Sequence, residues 1–518
     1  MVLGTALVLI VAADRIHVPY PILLVIGGCG LGFVPGVPDV RLDPDVVLLI
    51  VLPPLLYSAS FFSSLRELRS NLRPISFLAI GLVLATMAVV AVIAHALIPG
   101  MGWGPAFVLG AVVSPTDPVA AIAIAERLSV PRRVVTVVEG ESLINDASAL
   151  VAYRVAVVAV VSGSFSLFDA GGRFVLNVAA GAAIGLAVGW LVAQLRRRID
   201  NPPVEMAISV ATAYFAYIPA QAAGVSGVVA AVTVGVYLGW RGPQLVSPST
   251  RMQLFGVWEV LTFFLNCFLF VMIGLQLPAI LHSLSGHSTG QLVLYAAVVS
   301  AAVILTRIVW VPIFAYLPRR LSARIRERDP MPPWRQIAIV AWMGMRGAVS
   351  LAAALALPLA TDAGSAFPMR DLIVFLTFTV ILATLLLQGL SLPPLIRRLD
   401  IHDDHEVRSE SKARLKAARA AIERVEELRD EEWTRDDTMD RLRQMYEYRT
   451  RRFSARFREP DDGEDYEARA DQYQRALREV LQAQRDAIVQ MRDNGTISSD
   501  TMHRIERDLD LEDSRLEI

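Results

Sequence analysis

Apolar residues fill the first 400 positions of this 518-residue chain in blocks of roughly membrane length, separated by short polar stretches. A helix needs about 20 such residues to cross the hydrocarbon core. Hydropathy on that scale gives thirteen candidate spans, near 1–13, 18–36, 44–62, 74–98, 103–126, 134–161, 174–195, 204–219, 224–240, 252–279, 289–318, 336–360 and 371–396. The first is short for a full crossing, which implies a native N-terminus upstream or a partial helix. The break at Ala222–Gly227 is shallow, so the eighth and ninth spans are the least distinct. After Leu399 the blocks stop. Leu415, Ala418, Ile422, Val425 and Leu428 recur at three- and four-residue spacing, which predicts charged amphipathic helices over 401–518. Breaks between them are expected at Glu459-Pro460-Asp461-Asp462-Gly463 and at Asn494-Gly495. The fold class is an all-α polytopic membrane protein, with a transmembrane domain over 1–400 and a charged helical C-terminal domain over 401–518.

Charge then orients the spans. Loops after odd-numbered spans carry 20 arginines (15, 66, 69, 73, 127, 132, 133, 196–198, 241, 251, 319, 320, 324, 326, 328, 335, 397 and 398), whereas loops after even-numbered spans carry Arg41, Arg173 and Arg370. Basic loops stay in the cytoplasm. That places the N-terminus outside and the tail inside, in the plasma membrane. The net charge of −1 conceals an asymmetry, since residues 1–400 hold 26 basic and 19 acidic side chains and 401–518 hold 23 and 31. The only lysines are Lys412 and Lys416, neither after a Gly-rich loop, so a P-loop and ATP-driven pumping from this chain are excluded. Cys29 and Cys267 both fall in apolar spans and indicate neither a disulfide framework nor a metal site. Nothing suggests nucleic-acid binding.

Polar residues inside spans carry the chemistry. The sixth span contains Glu141-Ser142-Leu143-Ile144-Asn145-Asp146. An ionised carboxylate at a bilayer centre costs at least about 2.5–3.5 kcal/mol, so two within six residues need a partner or a task. Helical spacing puts Ser142, Asn145 and Asp146 on one face and turns Glu141 to another side. A hydroxyl, an amide and a carboxylate form a hard, all-oxygen surface suited to a small cation or a proton. In the fifth span, Ser114-Pro115-Thr116-Asp117-Pro118 excludes regular helix, because two prolines remove two backbone donors. A broken helix at the midplane marks many secondary-transporter sites. The twelfth span holds a second candidate break, Gly344-Met345-Arg346-Gly347, seven spans later. An odd offset implies opposite orientation, and thus inverted repeats whose two broken helices cross. Arg307 in the eleventh span needs an anion, and Glu141 is the best candidate for a structural clamp. Glu259 in the tenth span either lines the cytoplasmic approach or is structural. His95 reads as a span-end residue, and Arg154 receives no role.

These stretches resemble the cation:proton antiporters. Ser-Pro-Thr-Asp-Pro at 114–118, Glu-Gly-Glu-Ser-Leu-Ile-Asn-Asp at 139–146 and Met-Arg-Gly-Ala-Val-Ser at 345–350 are most similar to the sodium/proton exchanger branch that includes NhaP-like bacterial proteins. Leu52-Pro53-Pro54-Leu55-Leu56-Tyr57 and Gly274-Leu275-Gln276 add to the resemblance, which covers about 1–400. It implies a homodimer of thirteen-helix protomers that exchange a monovalent cation for a proton, in the service of pH homeostasis. Sodium is the expected cation, with potassium or lithium as alternatives. It further implies that Asp146 alternately binds cation and proton, with oxygens from Thr116 and Ser142 on the cation and Asp117 behind them. Asn145 occupies the position that distinguishes the electroneutral branch, Glu141 with Arg307 matches an inter-helix ion pair, and Arg346 matches the charge at the helix crossing. One departure stands out. Many relatives carry a carboxylate just after the Pro-Pro of the third span, where this chain has Tyr57-Ser58-Ala59-Ser60.

The expected activity is transport, with no enzymatic step and no cofactor. Proton and cation would exclude each other at the Asp146 carboxylate. A channel, a solute:cation symporter and a membrane sensor with the acidic tail as output are the alternatives. A channel would need no obligatory proton coupling and should still conduct with Asp146 replaced, a symporter would carry an organic solute, and a sensor would lose its function with the tail.

Overall fold

The computed structural model describes the chain except for residues 1–3, 5–7, 12, 14, 16–17, 36–41, 164–166, 200, 285–287, 402–403, 432, 456–459 and 515–518. Most of the first expected span, Arg41 and Glu459 lie outside the described residues. Two compact units are present, Met1–His402 and Asp403–Ile518. Every regular element among the described residues is helical, and one isolated antiparallel bridge joins Ala360 to Ala366.

The first unit contains α1 (Tyr20–Gly32), α2 (Leu52–Phe62), α3 (Val83–Leu97), α4 (Trp103–Val113), α5 (Val119–Arg127), α6 (Arg132–Ser162) and α7 (Leu167–Arg196). It continues with α8 (Pro202–Ala222), α9 (Gly227–Leu245), α10 (Pro248–Leu275), α11 (Thr289–Leu321), α12 (Trp334–Trp342), α13 (Ala348–Leu355) and α14 (Arg370–Leu399). Among the described residues, six helical segments are long and apolar enough to cross a membrane, and four shorter apolar helices accompany them. The protein is therefore a polytopic helical membrane protein.

Local sequence sets several boundaries. Asn201, Ser226 and Ser247 precede α8, α9 and α10, and each side chain accepts a hydrogen bond from a backbone N–H in the first turn. The Ala222–Gly227 break, shallow in hydropathy, is made firm by the Ser226 cap. Gly163 stops α6 in the left-handed conformation, φ 68°. Two spans contain wide turns that hydropathy does not signal: Val46–Val51 leads into α2 and Phe77–Leu82 leads into α3, both in π-helical register.

The fifth span is broken between α4 and α5, and the twelfth between α12 and α13. Pro115 and Pro118 have no N–H to continue the ladder. The freed groups find partners across the gap. Asp117 N–H donates to Met345 O at 2.8 Å, and Arg346 Nε donates to Val113 O at 3.1 Å. Irregular backbone within a membrane protein survives where protein buries and satisfies it, and here each break satisfies the other.

Packing gives two main helix groups, joined by a smaller cluster of Leu52, Leu56, Ala147, Tyr217, Val228 and Ala231. A large core joins residues of α1, α3–α6 and α10–α14, whereas a second is built from α7, α8 and α9 with Tyr57 and Trp258. Helix α1 lies so close to α10 that a Cβ on Gly274 would collide with the backbone of Val25, Gly28 and Cys29. Such contact is the packing that small residues permit inside membranes.

The second unit comprises α15 (Asp404–Leu428), α16 (Asp436–Ala455), α17 (Pro460–Asp493) and α18 (Ser499–Ser514). Ala418 and Val425 on the expected apolar face are buried. Leu481 and Ile488 of α17 pack with Met502 and Leu509 of α18. The chain turns at Asn494-Gly495, with Gly495 at φ 72°, as expected. At the other expected break, Pro460–Gly463 instead form the first turn of α17, since proline is well suited to a helix's first position.

Candidate functional site

The site forms where α6 passes the two broken spans. Glu141, Ser142, Asn145 and Asp146 are all buried along α6, and Thr116 and Arg346 are buried on the breaks. Thr116 is the hub. Its hydroxyl donates to Glu141 Oε1 at 3.0 Å and accepts from Asn145 Nδ2 at 2.7 Å. Its carbonyl accepts from the Ser142 hydroxyl at 3.0 Å. A residue in irregular backbone thus ties together two faces of α6 that helical spacing keeps apart.

Glu141 is fully committed. Arg307 Nη2 donates to its Oε2 at 2.8 Å, and Arg307 Nη1 donates to Oε1. The guanidinium also donates to Val340 O through Nε at 3.2 Å and Nη2 at 3.0 Å. Both side chains are essentially inaccessible, at 0% and 1% exposure. A bidentate, charge-assisted pair with its remaining donors satisfied is the arrangement that makes a buried ion pair tolerable.

Asp146 is in the opposite condition. It is 7% exposed, and among the described residues no group donates a hydrogen bond to its carboxylate. It borders a cavity of about 540 Å³ together with Asp117, Thr116 and Ser142. Asp117 Oδ1 accepts from Val119 N, two residues on, at 3.0 Å, which holds the carboxylate at the cavity wall just ahead of α5. A Cβ on Gly347 would run into the Asp117 side chain, so the second break carries glycine where it meets the first. Ser58 of α2 and Glu259, Thr262 and Asn266 of α10 line the far wall, with Glu126, Arg132 and Glu139 also on the lining. Tyr57, just before Ser58, turns away to Ser209, 3.3 Å between the hydroxyls.

Arg346 lies at the meeting of the breaks, fully buried, donating through its side chain to Val113 O and Gly344 O and through its backbone N–H to Thr384 Oγ1 at 3.1 Å. Its Nη2 has no partner. Asn145 Oδ1 likewise lacks one. Arg154 is exposed and donates to Gln221 Oε1 at 2.7 Å. His95 ends α3, where Nδ1 lies 2.7 Å from Met101 O and the ring stacks on Trp103.

Some participants escaped the sequence reasoning. Thr384 and Gln388 on α14 are completely buried, and both Gln388 amide atoms lack partners. Arg196 and Glu205 are buried beside the second helix group. Gln388 within an otherwise apolar span was the available signal; Arg196 read as one more loop arginine.

Taken together, the geometry offers a carboxylate left free of protein partners, hydroxyl and carbonyl oxygens nearby, and a cavity leading to them. Such a surface can hold a desolvated cation or a proton.

Comparison with known proteins places these features in context. Residues 2–398 match the family model for the transmembrane sodium/hydrogen exchangers. The chain is 39% identical to an Na(+)/H(+) exchanger of Mycobacterium tuberculosis strain H37Rv, itself uncharacterized, over 100% of this chain and 94% of the relative. It is 35% identical to the low-affinity Na(+)/H(+) antiporter NhaS1 of Synechocystis, covering 83% and 79%. It is also 32% identical to a sodium, potassium, lithium and rubidium/H(+) antiporter of Bacillus pumilus, covering 80% and 63%. Among solved structures, the sodium proton antiporter MjNhaP1 of Methanocaldococcus jannaschii superimposes with a TM-score of 0.60 at 17% identity, over 77% of this chain and 96% of that one.

Proposed function

The chain belongs to the sodium/hydrogen exchanger family, and we propose that it exchanges a monovalent cation for a proton by competition at the Asp146 carboxylate. One observation carries this assignment. Of two buried carboxylates on α6, Glu141 is taken up by Arg307 and Thr116, whereas Asp146 has no hydrogen-bond partner among the described residues and borders a 540 Å³ cavity. A cation arriving there meets Asp146 with hydroxyl and carbonyl oxygens of Ser142 and Thr116 beside it, and Asp117 adds negative charge from the wall. A proton on Asp146 removes the charge the cation needs, so one displaces the other.

Sodium is the cation we assign first, because the exchangers of M. tuberculosis and Synechocystis are named for it; potassium and lithium remain alternatives, as the Bacillus pumilus antiporter is named for all three. Asn145 is neutral and bonded to Thr116, which leaves one titrating group on this face of α6 and favours one-for-one, electroneutral exchange. Reorientation would move the α6 group of helices against α7–α9. We place thirteen spans in the membrane, arranged as inverted repeats with the broken helices crossing. The protein would act as a homodimer in the plasma membrane, with the N-terminus outside and residues 401–518 in the cytoplasm, where they regulate or stabilise the transport domain. Control of cytoplasmic pH is the expected physiological outcome.

The test is proton flux in proteoliposomes after separate additions of sodium, lithium and potassium, with wild type beside Asp146→Asn, and with voltage clamped and unclamped. Cation-driven proton movement that is insensitive to voltage and falls at least about 100-fold in the variant is expected, since charge-assisted binding is removed outright. Flux that survives the substitution would sink the assignment of Asp146.

A further inference from the structure

A second polar cavity, of about 70 Å³, opens away from the ion site, between the ends of α3's wide turn, α6, α11 and α12. Three arginines line it: Arg73, Arg133 and Arg319. All three come from the stretches whose arginine content places them on the cytoplasmic side. Gln336 also lines it, and the other walls are apolar and aromatic, including Phe77, Phe314 and Val340.

The local charge does not balance. Asp329 is the acidic partner present, and it is divided between two arginines. Its Oδ1 accepts from Arg133 Nη2 at 2.7 Å and its Oδ2 from Arg319 Nη2 at 2.5 Å. Arg133 Nε is further held by Asn71 Oδ1 at 3.3 Å, so both arginines are positioned and not merely nearby. Arg73 has no acidic partner among the described residues; its guanidinium lies 6.0 Å from the Phe77 ring centroid. The neighbouring Glu67 is engaged elsewhere, by Thr136 and Arg132. Three positive charges against one negative leave room for a further anion.

The surroundings indicate which kind. Helix α11 presents Leu305, Val309, Ile313, Leu317 and Leu321 exposed at four-residue spacing, a stripe facing lipid that ends beside the cavity. Leu72 and Ile80 are exposed on the opposite flank. A free anion needs only the arginines. A phospholipid uses both features, with its phosphate among the arginines and its acyl chains along the two apolar flanks, and basic pockets between spans at the cytoplasmic leaflet recognise anionic lipids in this way.

We propose that this cavity is a binding site for the phosphate of an anionic phospholipid. Occupancy would act on the transport domain through α12. Val340 lines the cavity, and its carbonyl is the acceptor that Arg307 uses alongside Glu141. A lipid clamped at Arg73 would hold together the ends of the helices that carry the buried ion pair. The inference does not depend on which cation is exchanged, or on exchange at all.

The test compares full-length wild type, Arg73→Gln and Arg326→Gln in detergent, the last being an exposed arginine between Arg319 and Asp329 that does not line the cavity. Melting temperature is followed on addition of phosphatidylglycerol, phosphatidylcholine or inorganic phosphate. Phosphatidylglycerol should raise the midpoint of wild type and R326Q by several degrees, phosphatidylcholine and phosphate should not, and R73Q should lose at least half of the rise. An equal rise in R73Q overturns the site. A full rise with inorganic phosphate alone assigns it to a free anion and overturns the lipid. Should R73Q not be recovered folded, native mass spectrometry of wild type decides between outcomes: retention of phosphatidylglycerol over phosphatidylcholine supports the proposal, and equal retention refutes it.

Discussion

Glu141 and Asp146 share one helix, five residues apart, and are both buried, yet one is locked and the other is left open. Around Glu141 every oxygen is used: Arg307 and Thr116 donate to it, and the guanidinium donates twice more, to Val340 O. Around Asp146 the protein supplies a cavity and nearby oxygens but no donor. Burying a charge is costly unless it is paired. At Glu141 the chain bears that cost with another part of itself. At Asp146 the compensating group must come from outside, as a cation or a proton. The comparison teaches that burial alone does not separate the two carboxylates; the exchange role proposed for Asp146 rests on the absence, among the described residues, of an internal partner.

Breaking the closed half should have the largest effect. Glu141→Ala leaves the Arg307 guanidinium buried without its carboxylate, and removal of one partner from such a pair costs about 3–5 kcal/mol. The expected outcome is a large drop in melting temperature and in recovered protein. Asp146→Asn, measured in parallel, should melt no lower than wild type. If D146N were the more destabilised of the two, the division between clamp and exchange site would be wrong.

A smaller effect is expected where the two halves join. Gly347→Ala places a methyl group against the Cβ, Cγ and Oδ2 of Asp117. The carboxylate must rotate away from Val119 N–H, and crowding of this kind costs about 1–3 kcal/mol. Exchange rate should fall with the Glu141–Arg307 pair intact, so transport in proteoliposomes declines more than thermal stability does. Equal exchange in G347A and wild type would detach Asp117 from the mechanism.

Much of this contrast could be read in the sequence. Hydropathy outlined a polytopic helical protein because it follows from local composition. The breaks were visible because Pro115 and Pro118 flank Thr116 and Asp117 within an apolar run, and no other residue type interrupts a helix so directly. Helical spacing separated Glu141 from the face bearing Asn145 and Asp146. What it could not convey is that Thr116 reconnects them, since the position of a residue in irregular backbone obeys no period. Thr384 was hidden for a different reason: its partner Arg346 lies 38 residues away, and a threonine in a long apolar span usually bonds its own helix. The wide turns at Val46–Val51 and Phe77–Leu82 leave no mark, because changing hydrogen-bond register needs no change in hydropathy.

The smallest expected effect sharpens the open half. The far wall of the cavity includes Ser58, within the Tyr57–Ser60 stretch where the family resemblance leads one to expect a carboxylate, and its hydroxyl is spent on Leu55 O at 3.0 Å. Here the wall contributes no charge from α2, so attraction of the cation rests on Asp146, Asp117 and the acidic residues nearer α10. Ser58→Glu would add a negative charge across a solvated space. At the high effective dielectric of such a space, the gain is on the order of 0.5–1 kcal/mol, a two- to fivefold lower half-saturating cation concentration. The gain should shrink as ionic strength rises, because an exposed charge is screened. That salt dependence separates a long-range attraction from a new ligand, which would hold its effect at high salt and alter the ranking of sodium, potassium and lithium. No change at any salt would mean that the cation reaches Asp146 without passing the α2 wall, and would place the entry path along α10 and Glu259 instead.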